Sequence, residues 1–134
     1  MSTEDRLRTH PKERLAAPVQ RIELNGALER LRAEPHAAVA GHRQVALVRR
    51  GPVSLILFDF EPGGYLKEHR TEGEVTIHVL SGRLAVTVGA EVTSVGAGEL
   101  IALAPGQEHA VRALEASEML LTVCRVPPAQ PSPD

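Results

Sequence analysis

Apolar residues along most of this chain recur with the period of an extended strand. Leu84, Val86 and Val88 alternate with Ala85 and Thr87, as a strand with one buried face requires. Comparable runs occupy residues 44–49, 53–60, 65–70, 75–80, 91–95, 99–103, 109–114 and 118–126. Arg50-Gly51-Pro52 reads as a turn between the first two, and of eleven glycines all but Gly26 and Gly41 fall from Gly51 to Gly106. Short strands at this spacing predict an all-β sandwich or barrel. No helical stretch is long enough to serve as a parallel crossover, so the pairing is expected to be mainly antiparallel.

The segment ahead of the strands reads differently. Residues 1–17 are polar, hold Pro11 and carry no apolar period, which predicts a mobile tail. A short strand is expected over 19–24, with Val19 and Ile22 as its apolar positions. Asn25 then stands as the cap of a short helix over 26–34, in which Leu28 and Leu31 share one face and Pro35 ends the helix. At the far end, residues 127–134 read PPAQPSPD; prolines cannot pair in a sheet, so an extended tail is expected there. Between the tails, residues 18–126 form one domain.

Composition narrows the function. A formal net charge of −2 leaves no basic footprint for nucleic acid or an anionic membrane. Phe58, Phe60 and Tyr65 are all the aromatics there are, too few for stacking successive bases. The single cysteine, Cys124, has no internal disulfide partner and lies in the apolar run LLTVC, which predicts a buried thiol. No apolar run is long enough to span a bilayer, and the charged N-terminus is unlike a signal peptide, so a cytoplasmic protein is expected.

The candidate chemistry lies in two stretches, FEPGGYLKEHRTEGEVTIHVLSG at 60–82 and GELIALAPGQEH at 98–109. The first reads as two strands and a turn with His69 on the first strand. The second carries a strand, an Ala-Pro-Gly turn and His109 opening the next strand. This arrangement resembles the cupin family over about residues 44–124, and implies a cupin-type jelly-roll β-barrel with a short N-terminal helix. Gly63, His69 and Gly82 match the family's first motif, and Gly98, Gly106 and His109 match its second. Thr71 stands where the first motif has a second His, and Val75 where it has a Glu. Ala104 takes the proline position of the second motif, with Pro105 one residue later, and Ala113 takes the place of an Asn.

In metal-binding cupins these motifs supply four ligands, of which His69 and His109 remain. The resemblance therefore implies a ligand pocket at one mouth of the barrel, lined by His69, Thr71, Val75, Ile77 and His109, with no metal expected. An imidazole can act there as acid, base or hydrogen-bonding group without one. The alternative is a metal-dependent dioxygenase or isomerase of a small organic substrate. It would hold a divalent transition metal on His69 and His109, with Glu74 re-aimed by a β-bulge. His78 alternates with Val75, Ile77 and Val79 and is expected on the outer face, while His10, His36 and His42 are expected on the surface. Members of the family commonly pair through their sheets, and unpaired strand edges supply a physical motive, so a homodimer is expected.

Overall fold

The computed structural model describes residues 17–125. The expected tails at 1–17 (Ala17 apart) and 127–134, with His10, lie outside the described residues. Helix α1 (Leu24–Arg32) is followed by nine strands: β1 (His42–Arg50), β2 (Val53–Phe60), β3 (Tyr65–His69), β4 (Gly73–Ser81), β5 (Arg83–Val88), β6 (Glu91–Gly96), β7 (Leu100–Leu103), β8 (His109–Ala113) and β9 (Ser117–Arg125). They form a jelly roll of two sheets, ordered β1-β2-β9-β4-β7 and β3-β8-β5-β6, with antiparallel pairing throughout.

Alternation decides which side chains meet between the sheets. Phe58, Phe60, Val75, Ile77, Val79, Met119 and Leu121 from the five-stranded sheet pack against Leu84, Val86, Val95, Val111 and Ala113 from the other. Burial of this apolar set is the main favourable term for the fold. The β2 run VSLILFDF is apolar at almost every position because both its faces are covered. Leu57 points to the outer face, yet is fully buried beneath α1 together with Leu28 and Leu47.

The N-terminal expectations need two corrections. No strand forms over 19–24; Val19 is 88% exposed, and Ile22 instead packs on the cluster beneath the helix. The cap of α1 is Glu23 rather than Asn25, its carboxylate accepting from the Gly26 amide at 3.0 Å, so the helix starts earlier than expected. Arg32, in the last helical turn, reaches the outer face of the sheet and hydrogen-bonds both Asp59 of β2 and Glu118 of β9. Those carboxylates are cross-strand partners. They hold the guanidinium above its ordinary range, the Asp59 hydrogen bond contributing most.

Two corners require glycine. Gly82, between β4 and β5, has φ +83°, and a Cβ there would lie 2.3 Å from the Ala116 carbonyl oxygen. Gly106 also has φ +83°, in the turn leading to His109, and its amide donates to the Thr71 carbonyl at 2.9 Å.

Candidate functional site

His69 closes β3 and His109 opens β8, and the ladder sets them directly across from each other. Alternation alone would not do this. Leu66 faces inward opposite Val111, so a regular strand would bring Glu68 inward and turn His69 outward. One extra residue between Leu66 and His69 shifts the register and returns His69 to the inner face. The ring centroids are 4.2 Å apart, the planes inclined at 61°. On its other side His109 meets Val88 of β5.

Both imidazoles are oriented by the same local device. Nδ1 of His69 donates to the Lys67 carbonyl at 2.9 Å, and Nδ1 of His109 donates to the Gln107 carbonyl at 3.0 Å. Among the described residues no hydrogen bond reaches Nε2 of either ring. His109 is 2% exposed, whereas His69 is exposed. The polar side-chain atoms sealed without a partner among the described residues are Nδ1 of His42 and one nitrogen of Arg43. Burial lowers the His109 pKa from its ordinary value; the nearby His69 lowers it further, and the bond to Gln107 opposes both. At the rim, Arg70 and Glu108 form an exposed ion pair at 3.4 Å.

The other expected site residues fall out unevenly. Thr71 lies in the β3–β4 connection, half-buried, and its carbonyl binds the Gly106 turn, holding the two histidine-bearing segments together. Val75 faces inward opposite Val123 and Leu103. Ile77 faces inward too, but is completely buried, so it packs the core beneath the mouth rather than lining it. Glu74 stands opposite Cys124 in regular register and alternates with the inward Val75, so it is on the outer face and exposed. The extra residue that was expected to re-aim Glu74 sits in β3 instead and re-aims His69. Among the described residues no group of three or more His, Cys, Asp or Glu is arranged to hold a metal ion. Two imidazoles fall short of the two-His, one-carboxylate set of a non-haem iron centre.

Three further positions are settled by the sheets. His78 is half-buried on the outer face between Leu100 and Leu120, as alternation predicts. Cys124 is likewise on the outer face and only half-buried, not the buried thiol expected. His42, expected on the surface, is half-buried instead, with its ring 5.7 Å from Phe58 and 5.5 Å from Phe60. Its Nε2 lies 3.2 Å from Gln44 Oε1. The signal for it was alternation with Gln44 and Ala46 along β1, whose register pairs these three with Phe60, Phe58 and Ile56.

Comparisons with known proteins agree with this architecture. A search of curated proteins finds no significant match to this chain. Among solved structures, a conserved protein of unknown function from Streptococcus pyogenes is 23% identical, with a TM-score of 0.68 over 84% of this chain and 96% of its own. A cupin superfamily protein from Desulfitobacterium hafniense is 18% identical, with a TM-score of 0.67 and the same coverage of both chains. A cupin-2 domain protein from Rhodospirillum rubrum is 25% identical, with a TM-score of 0.58 over 75% of this chain and 72% of its own. Residues 56–124 match the family model described as a cupin domain, which takes in both histidine-bearing segments. This chain therefore belongs to the cupin family.

Proposed function

We propose that this cupin is a binding barrel that holds a small polar molecule at the mouth marked by His69 and His109, with no metal resident on protein ligands alone. The observation that carries this reading is the facing pair of rings with both Nε2 atoms open, beside Thr71 and Val75 where the family has two more ligands. Glu74, the carboxylate next to the family's Glu position, is turned to the outer face. Metal analysis of protein purified without chelators should give metal far below one equivalent. Stoichiometric iron, manganese, nickel or zinc would overturn the proposal.

A second reading, a metal-dependent dioxygenase or isomerase, is favoured by one feature. A backbone carbonyl on Nδ1 is a common way of orienting a metal-ligating imidazole. On that reading, replacing both histidines with alanine must remove bound metal and activity together.

The same proposal includes a homodimer in the cytoplasm. Its support is Leu100, 60% exposed on the edge strand β7 beside the half-buried His78, an apolar position at an unpaired edge. No helix of the described residues is long and apolar enough to cross a membrane. Light scattering at micromolar concentration should return twice the chain mass, and a monomer there would contradict the dimer.

A further inference from the structure

The imidazole pair is chemically one-sided. A carbonyl oxygen only accepts, so the bonds from Lys67 and Gln107 place the proton of each neutral ring on Nδ1. What each ring turns to the mouth is then a bare lone pair on Nε2. From this geometry we infer that the imidazole pair is acceptor-only, and that the mouth takes a small molecule bringing hydrogen-bond donors, hydroxyl or ammonium, ahead of simple anions. The inference rests on the ligand-site reading above and names the class of ligand.

Several observations point the same way. The inward neighbours of the two rings, Leu66, Val111 and Val88, add no donor, and Thr71 beside them brings a hydroxyl that can accept or donate. The rim guanidinium of Arg70 pairs with Glu108, which partly balances its charge there. At the two rings a carboxylate or phosphate would give up water and meet lone pairs, a desolvation that the rings do not compensate. A hydroxyl or ammonium would replace its water bonds with bonds to Nε2.

Long-range proton–nitrogen spectra of the imidazoles in the full chain, at about pH 8 where an ordinary imidazole is neutral, test this directly. Both rings should show the Nδ1–H tautomer. Propane-1,2-diol or methylammonium should shift both Nε2 resonances saturably, the tighter of the two deciding between hydroxyl and ammonium. Acetate and inorganic phosphate should not. His69→Ala should weaken the better probe about tenfold, as the loss of one hydrogen bond predicts. An Nε2–H tautomer on either ring, or an anion saturating below both donor probes, would overturn the inference and leave the ligand site standing. If no probe moves either ring, the ligand-site reading falls with it.

Discussion

His69 lies directly across the ladder from His109, their ring centroids 4.2 Å apart, although strict alternation from Leu66 would have brought Glu68 to that place. The extra residue in β3 thus decides which side chain the mouth presents. A carboxylate facing His109 would have completed an acid–base pair. An imidazole makes two like acceptors instead.

The causes of the lowered His109 pKa can be separated. Burial is the largest and the proximity of His69 the smallest. In His69→Ala the His109 pKa should rise, yet stay below the ordinary 6.5 because burial persists. An NMR titration of the His109 ring checks this. An unchanged value would mean that His69 exerts no influence there.

The same shift makes stability depend on pH. His109 binds its proton less readily folded than unfolded, so the unfolded chain carries more protons once pH drops below about 6.5. Its contribution is full above that value and is lost as pH falls through the folded pKa. Urea midpoints measured across this window should decline with acidity, and His109→Gln should flatten the decline.

Arg32 ties α1 to the sheet by engaging Asp59 and Glu118, which otherwise repel each other across the ladder. Its side chain is 48% exposed, so solvent screens the contact. Arg32→Ala should cost about 1 kcal/mol, read as a lower urea midpoint at an unchanged slope. The loss should shrink on adding salt, and Arg32→Lys should restore part of it.

Gly82 and Gly89 share a positive φ, but their surroundings differ. A Cβ at Gly82 meets the Ala116 carbonyl oxygen and Ser117, whereas nothing lies within 4 Å at Gly89. Gly89→Ala should therefore cost only the left-handed backbone term, about 1 kcal/mol. Gly82→Ala should cost on the order of 3 kcal/mol or prevent folding. Thermal unfolding of the two variants side by side makes the comparison, and equal losses would discount the close approach at Gly82.

Much of the architecture is legible in the residues themselves. Strand side chains alternate, so the runs of valine and leucine from β2 to β9 announce themselves locally, and the glycines between them mark corners that other residues enter only under strain. His78 could be assigned outward by the same rule. The N-terminal segment was less legible, because Val19 and Ile22 carry no clean period and several residues near α1 can cap a helix. Glu23 serves because its carboxylate reaches the Gly26 amide. His42 was missed because its alternation with Gln44 and Ala46 along β1 sets polar residues on the inner face, and its burial comes from Phe58 and Phe60 on the neighbouring strand.

By itself the sequence determined a cupin barrel with two histidines on adjoining segments and two of the family's ligand positions replaced. Periodicity and turn chemistry are local, and they survive in the order of the residues. Only the tertiary structure decided that His69 faces inward, that Glu74 faces outward, and that each Nδ1 meets a backbone carbonyl. Those facts depend on ladder register and on carbonyls fixed by folding. One added residue in a strand reverses the faces of everything beyond it.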